Sequence, residues 1–544
     1  MTFTILLKYF SFLPILAICL FFLSPKYSSI KKHLFFLEND FDNNTSHKLL
    51  WLLIGIYFLT FGAMSCLRYL SFHSTIADLG SYENRIWQIA LNGRFEYLIN
   101  GHFTPILFVH AFFYKCIPSA LTLLLLQTIT IALASIPLFY LSSQCLKNNK
   151  LSLVIVMIFF LFTAVEFNNL FDFHPDHIFI VLMISCFYFL KTEKKGWFFT
   201  FAVLASMVKE PYLLSVAALG LYAMIRYKWY KTGLGLFMIS MAIFLIHAKI
   251  ILPHYFEGIN PMIQSKEGSH AYLGNSLTEI LKTFFFNPLI IVKSLINLKK
   301  VLFVYVLFAP LLFIPIFSPW TLILSLPSFA IPLLSLELQH YAINNQYSAS
   351  LIPFIFVSFV YGLERIVQNK NNIQQQITTK GLNIKRLKII VVSVFVVTLH
   401  FNVVTSASPI SCLFWGNKRD VNPYSFKNYI PTKRDILLKK ATRLIPEGMS
   451  VSAQNSVFTS QLAKRDIFFV FPEQYKFSDY IILDEKRLKY INNLIDVVID
   501  SNTYDTLLKE IPETHSIIFQ KDGIHLFKKH SPLPLSPNSH DFKF

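Results

Sequence analysis

Charge is what this sequence has least of. Asp, Glu, Lys and Arg make up 15% of its 544 residues, against roughly a quarter in an ordinary soluble domain, and mean hydropathy is +0.50. That balance excludes a soluble globular protein and points to an α-helical polytopic membrane protein. Cysteine is scarce and scattered: Cys19, Cys66, Cys145 and Cys186 lie in or at the ends of apolar runs, and no C-x-x-C spacing occurs, so cysteine-based metal or redox motifs are excluded. Cys116 and Cys412 are both expected near the outer face, but spacing alone does not bring two thiols within bonding range, and small apolar filler is the expected role of all six. The N-terminal run ILLKYFSFLPILAICLFFL has Lys8 ahead of an apolar core but no small-x-small cleavage site, and no small residue directly before Cys19. It reads as an uncleaved first membrane helix rather than a signal peptide. No internal repeat is evident, and the ionisable groups gather at helix ends rather than mid-span, which counts against a transporter.

Aromatic and basic residues are plentiful. The 56 phenylalanines and 25 tyrosines suit lipid-facing helices with aromatic belts. Apolar runs suggest about twelve spans, near 5–23, 49–69, 120–143, 151–168, 176–191, 197–209, 211–226, 232–252, 303–317, 319–335, 349–364 and 388–406. The segment 103–118 is shorter and reads as an interfacial or re-entrant piece. A formal charge of +18 could suggest nucleic acid, but the basic residues sit in short loops between apolar runs, as membrane orientation requires. Lys26, Lys31, Lys32 and Lys48; Lys147 and Lys150; Lys191, Lys194 and Lys195; Arg226, Lys228 and Lys231; and the linker from Arg365 to Lys388 fall on alternate loops, which places that side in the cytoplasm. Facing outward are then 70–119, 169–175, 209–211, 253–302, 336–348 and everything after about 407. The expected division is N-terminal membrane helices over 1–69, a first large extracytoplasmic loop over 70–119, a transmembrane core over 120–406, a small extracytoplasmic α/β domain over 407–530 and a disordered tail over 531–544. In the α/β domain, 478–484 and 515–529 read as strands with an Asp522-Gly523 hairpin turn, and RDILLKKATRLIP as helical. No catalytic motif is evident there.

The outward loops hold the unusual polar residues. Leu79, Tyr82, Ile86 and Ile89 recur at helical spacing, with Glu83 and Trp87 on another face and Gly93 as the stop, which predicts a short amphipathic helix on the outer surface. Asp78 precedes it as an N-cap, and a capping aspartate has the lowered pKa that also suits a base or metal ligand. A second cluster runs Glu166-Phe-Asn168-Asn169-Leu-Phe171-Asp172-Phe-His174-Pro175-Asp176-His177. So many titratable groups at a membrane boundary need water, partners or a ligand, and a divalent cation is one candidate. Lys209-Glu210-Pro211 reads either as a neutralised ion pair at a tight turn or as a lysine set for a phosphate. Glu337, Gln339, His340, Gln346 and Tyr347 form a last polar and aromatic group before a helix containing Pro353.

Asp78-Leu79-Gly80, Gly101-His102-Phe103-Thr104-Pro105, Phe171-Asp172-Phe173-His174-Pro175, Lys209-Glu210 and Gln346-Tyr347 with Pro353, taken in order, resemble the signatures of the bacterial membrane-protein family called domain of unknown function 2079. The likeness runs from about residue 70 to 365. Weaker features continue at Ile445-Pro446-Glu447-Gly448, Asp479 to Asp484 and Asp522-Gly523. Where the family often has D-L-G-x-x-D-Q, this chain has Glu83-Asn84. That family is similar to the GT-C integral-membrane glycosyltransferases, and the resemblance implies a GT-C-like fold, a polyprenyl-phosphate sugar donor, a membrane-lipid partner and a site in the cytoplasmic (inner) membrane of a bacterium. It casts Asp78 as general base or as orienter of a metal or acceptor, with Glu83 as the alternative. His102, Asp172 and His174 would line the pocket, Lys209 would meet the lipid phosphate, and Glu210, His340, Gln346 and Tyr347 would bind substrate. The rival class is a non-enzymatic transporter or lipid-handling protein in which the same charges line a pathway; a scaffold presenting the C-terminal domain is a third.

Overall fold

A computed structural model describes residues 40–99, 102–251, 269–274, 277–368, 384–416, 424–458, 462–490 and 501–530, together with the isolated Leu13. The expected helix at 5–23, most of the linker 365–388 and the tail 531–544 lie outside the described residues.

The longer membrane-region helices, in chain order, are α1 (Asn43–Leu70), α2 (Ser81–Asn92), α3 (Leu107–Cys116), α4 (Ala120–Leu133), α5 (Ser135–Leu146), α6 (Asn149–Phe160), α7 (Thr163–Leu170), α8 (His177–Lys191), α9 (Lys195–Ser206), α10 (Leu213–Tyr227), α11 (Tyr230–Ile246), α12 (Leu277–Phe286), α13 (Pro288–Leu295), α14 (Leu298–Phe308), α15 (Leu326–Leu334), α16 (Ile352–Val367) and α17 (Ile384–Thr405). Helix α1 shows the logic of the set. Asp42 caps it by accepting from the Thr45 amide. Leu50, Ile54, Tyr57 and Phe61 bury one stripe, while Trp51, Leu52, Ile56 and Leu59 on the other side stay exposed. A helix apolar on both sides is built for a lipid surround.

Several of the about twelve expected spans stand as long apolar helices. Among the described residues four helices are long and apolar enough to cross a membrane, Asn43–Leu70, Ala120–Leu146, Tyr230–Ile251 and Ile384–Thr405; α6 and α7, bent by 50°, make a fifth if counted as one span. Within the described residues the other expected spans are shorter or broken. Helix α8 has 15 residues, which covers only about 22 Å at 1.5 Å per residue, short of a core of about 30 Å. From 309 to 325 the chain runs as a series of short helical turns, with Pro310, Pro315 and Pro319 each in the first turn of a new piece, where the missing N–H costs nothing and the chain before it cannot continue as helix. Helices α10 and α11 pack unusually closely: a Cβ on Gly220 would lie 2.7 Å from the Gly233 carbonyl oxygen, and one on Gly233 2.5 Å from the Gly220 oxygen. Small residues here let two backbones meet.

The C-terminal part forms a five-stranded mixed sheet in the order β2-β1-β3-β5-β4, with β1 Val451–Ala453, β2 Phe468–Val470, β3 Tyr480–Asp484, β4 His515–Lys521 and β5 Ile524–Lys529. The helices α18 (Lys433–Thr442), α19 (Glu485–Tyr490) and α20 (Ser501–Glu510) accompany it. The Asp522-Gly523 turn has φ of 51° and 71°, as a two-residue hairpin of the primed type requires. The Thr432–Asp435 capping box starts α18. Strands β1 and β2, three residues each, are too short to announce themselves by alternation.

This sheet unit docks on the loop between α1 and α2. Arg487 donates to the Phe72 and Ser71 carbonyls at 2.8 and 3.1 Å while pairing with Asp435 at 2.8 Å. The Ile76 amide donates to Asn455 Oδ1 at 2.8 Å. Asn84 Nδ2 donates to the Ala463 and Arg465 carbonyls at 2.6 and 2.7 Å. Phe72 and Ile76 join one apolar cluster with Leu438, Val451, Val457 and Ile482. The expected surface helix is therefore corrected: α2 ends at Gly93 as foreseen, with φ of 66°, but Tyr82, Glu83, Asn84, Arg85 and Gln88 are buried, because Asn84 and Gln88 bond to Ala463, Arg465 and Asp466 of the sheet unit while Tyr82 packs on Phe173 and His174, Glu83 meets Tyr114 and Arg85 donates to the Tyr97 and His102 carbonyls.

Candidate functional site

Asp78 is not a cap. It lies inside a wide turn, Ile76–Gly80, and Thr75 does the capping, its hydroxyl accepting from the Asp78 amide. The Asp78 carboxylate is thereby free to reach across the fold, where Oδ1 accepts from His174 Nε2 at 3.0 Å and Oδ2 lies 3.3 Å from the Thr75 hydroxyl. Burial alone would raise the Asp78 pKa; the charge and hydrogen bond of His174, the Thr75 hydroxyl and the charge of Lys209 together hold it below the usual carboxylate value.

His174 is placed by a residue the sequence reading passed over. Gln127, buried within α4, accepts from the His174 amide at 2.9 Å and turns its NH2 toward the carbonyls of Asn168, Asn169 and Asp172 at 3.2, 3.0 and 2.8 Å. One amide thus satisfies the orphan backbone groups where α7 ends and the turn to α8 begins. The signal was a lone Gln in the run ALTLLLLQTITIAL, where a buried amide needs partners. Arg68 performs a like service, donating to the carbonyls of His73 and Leu170 at 2.9 and 2.8 Å. Asp172 accepts from the Thr75 amide at 3.0 Å and binds the loop instead of facing a pocket. Its burial, only partly offset by Arg68, pushes it up to about 6. Glu166 is likewise structural, accepting from Asn402 at 2.8 Å and from Ser406 on the α17 side.

Lys209 and Glu210 do not neutralise each other as a local pair; adjacent in sequence, they serve different partners. Lys209 Nζ lies 3.7 Å from Asp176 Oδ1, which also accepts from the Tyr212 hydroxyl. Burial opposes the charge on Lys209, yet Asp176, Tyr82 and Glu210 raise its pKa overall. Burial would raise Asp176 as well; Lys209 and His174 outweigh it and keep the carboxylate low. Glu210 accepts from His102 Nδ1 at 2.6 Å and from the Phe103 amide at 3.1 Å. Burial lowers the His102 pKa, so the imidazole serves as a neutral hydrogen-bond donor.

From the far side, Tyr347 and His340 close the group, with ring centroids 4.3 Å apart. Burial pushes the Tyr347 phenol up to about 12, with Lys209, Asp78 and Asp176 all near enough to act on it. Burial and the neighbouring His270 and Lys209 push His340 down to about 4. Asp176 Oδ2, His174 Nδ1, His340 Nδ1 and Gln346 Oε1 are buried without a partner. Orphan polar atoms on several sides of one region mark a place prepared for a polar ligand. Among the described residues no group of three His, Cys, Asp or Glu converges as metal ligands, so the expected divalent cation finds no ready-made protein cage there.

The structure therefore brings Asp78, His174, Lys209 and Tyr347 into one electrostatic neighbourhood, adds Tyr82, Asp176 and Tyr212 to it, and sets His102–Glu210 behind Lys209. Glu83 is turned away. Its Oε1 accepts from the Tyr114 hydroxyl at 2.9 Å, in a different cavity. The described cysteines, Cys116 and Cys412 among them, are free thiols.

No curated protein matches this chain. Among solved structures, ArnT from Cupriavidus metallidurans bound to undecaprenyl phosphate is similar at 11% identity and a TM-score of 0.46, covering 88% of this chain and 97% of that one. The same protein in the apo state gives 11% and 0.45, with 85% and 95% covered. The family model described as predicted membrane protein (DUF2079) matches residues 68–515, a stretch that includes α2, the Asp78–His174 pair, Lys209 and most of the sheet unit; the protein belongs to that family.

Proposed function

We propose that the protein is a GT-C-like membrane glycosyltransferase that moves a sugar from a polyprenyl-phosphate donor to an acceptor hydroxyl at the extracytoplasmic face. The observation that carries this reading is a carboxylate held ionised, Asp78, within electrostatic reach of a buried ammonium, Lys209, in a region with unpartnered polar atoms. In the reaction the acceptor oxygen attacks the anomeric carbon from the face opposite the lipid phosphate. The carbon–oxygen bond to the phosphate breaks, the acceptor proton passes to Asp78, and the phosphate leaves with its negative charge toward Lys209. A low-pKa carboxylate is a weak base in the ground state. It suits a reaction in which the acceptor acidifies only as its bond to the sugar forms, so proton transfer comes late. Lys209 acts where charge develops, on the leaving oxygen. His174 orients the Asp78 carboxylate and Tyr347 supplies a neutral hydroxyl beside both charges. The outward placement rests on the distribution of Lys and Arg among the loops.

The test is glycolipid and glycan profiling of a deletion strain complemented with the wild type or with Asp78→Asn. The expected result is loss of one modification in the deletion strain, restored by the wild type and not by Asp78→Asn. Full restoration by Asp78→Asn at equal protein level overturns the catalytic assignment.

A further inference from the structure

Glu83 belongs to a second cavity, of about 280 Å³, at the seam where the ends of α1 and α4 meet the sheet unit. Besides the phenol of Tyr69, one carboxyl and two ammonium side chains line it: Glu83, Lys439 from α18 and Lys464. Glu83 is 1% exposed, and its second oxygen, Oε2, has no partner. Lys464 spends one N–H on the Pro118 carbonyl and keeps two. Lys439 makes no side-chain hydrogen bond or ion pair among the described residues. One wall is apolar, formed by Leu70 and Leu121. Leu67 of α1 and Ile117, at the end of α3 one residue before the lining Pro118, are 38% and 64% exposed.

Two ammonium groups beside a buried carboxyl oxygen are complementary to a ligand that carries both an anion and a hydrogen-bond donor. A bare phosphate monoester would set its own charge against Glu83. A phosphodiester bearing a hydroxyl or an ammonium places its anion on the lysines and its donor on Oε2. We propose that this seam cavity binds the headgroup of a membrane phospholipid of that kind, with phosphate oxygens on Lys439 and Lys464, the headgroup hydroxyl or ammonium donating to Glu83, and the acyl chains lying along Leu67 and Ile117. The apolar wall and its exposed continuation favour a lipid over a free phosphate compound. Burial pushes Glu83 up to about 7 against the pull of Lys464, the Tyr114 hydroxyl and the Ala120 amide, so a headgroup donor would relieve a carboxyl that the fold leaves short of hydrogen bonds. The bound lipid would tie α2 and α4 to the sheet unit. This site is independent of the reading given to Asp78.

The test uses the purified full-length chain, delipidated in mild detergent and offered phosphatidylglycerol, phosphatidylethanolamine or phosphatidylcholine, with retained lipid counted by native mass spectrometry. The expected result is one retained molecule of the first or second lipid and none of the third. Lys439→Ala, which breaks no contact within the chain, should lower retention about fivefold and Lys439→Ala/Lys464→Ala further, on the scale of one lysine–anion contact each. Glu83→Gln should narrow the preference over phosphatidylcholine. Thermal unfolding of each variant separates lost binding from lost fold. Unchanged retention in Lys439→Ala, equal retention of phosphatidylcholine, or displacement of the lipid by an equal concentration of soluble glycerol phosphate would each overturn the proposal.

Discussion

Replacing Lys209 by methionine keeps an unbranched side chain one atom shorter and removes its charge, which strands Asp176. The two side chains are 10% and 4% exposed, so water cannot take over the role of the ammonium. In the wild type Asp176 titrates below its ordinary 3.8; its ionised form therefore adds stability above that pH, and the contribution is lost as pH falls through the folded value. Without Lys209, burial dominates and the folded pKa rises above 3.8. Ionisation then opposes the fold, and stability declines as pH climbs from about 4. Should the carboxyl stay protonated up to pH 7, the cost is 3.2 pH units at 1.36 kcal/mol each, about 4 kcal/mol at pH 7 and about 1.6 at pH 5. The Tyr212 hydroxyl, which still donates to Asp176, trims this to roughly 2–4 at pH 7, within the range for breaking a buried pair. Thermal unfolding in detergent followed by tryptophan fluorescence should show a large loss for Lys209→Met at pH 7 and a smaller one at pH 5. Lys209→Met/Asp176→Asn should recover most of the stability, because no charge is stranded, and yet remain inactive in the complementation assay. A single variant as stable as the wild type at pH 7 would refute the buried-pair argument. An active double variant would refute the role of Lys209 at the leaving phosphate.

Asp78→Asn retains the shape of the side chain but cannot take a proton, and turnover should fall by roughly 10²–10⁴-fold in a membrane assay of sugar transfer, with little change in unfolding temperature. Glu83 titrates at about 7 in the fold against an ordinary 4.5; its ionised form opposes folding, so stability should drop between pH 4.5 and 7 and level off above. Glu83→Gln abolishes that slope and should be more stable by up to about 3 kcal/mol at pH 8, with no difference near pH 4.5 in parallel melts. Gly220→Ala sets a methyl against the Gly233 carbonyl and should cost about 1–3 kcal/mol, read as a lowered midpoint with the helix content unchanged by circular dichroism.

How far the sequence could be read depends on whether a residue answers to its neighbours in the chain or to distant ones. The Gly93 stop, the Asp522-Gly523 turn and the strands at 480–484 and 515–529 follow local rules, and they stand in the structure. Loop polarity also drew attention to Asp78, His174, Lys209 and Tyr347, which the fold gathers into one electrostatic neighbourhood. What failed were statements about partners. Asp78 was read as a cap because it precedes a helix, yet the preceding Thr75 offers its hydroxyl instead. Adjacency left Lys209 and Glu210 open between an ion pair and a lysine set for a phosphate; the extended backbone at Lys209, φ −165°, lets the two serve Asp176 and His102. Glu83 looked like a substitute for Asp78 from a distance of five positions, although α2 turns it toward Tyr114. Hydropathy also does not show where prolines divide an apolar run into short helical pieces, as at Pro310, Pro315 and Pro319.

The contacts between the sheet unit and the loop around Asp78 also set a timetable for biogenesis. Ile76 and Asn84 bond to groups 379 residues further along the chain. At about 5–20 residues per second, synthesis of that interval takes roughly 20–80 s. During this time the loop and α2 have been made but their cover has not, and Asn84 and Gln88 cannot yet meet their partners Ala463, Arg465 and Asp466. A ribosome stalled before Asn455 would present a nascent chain whose membrane helices are in place and whose α2 is still accessible to proteases, so limited proteolysis of stalled chains would time the closing of the site.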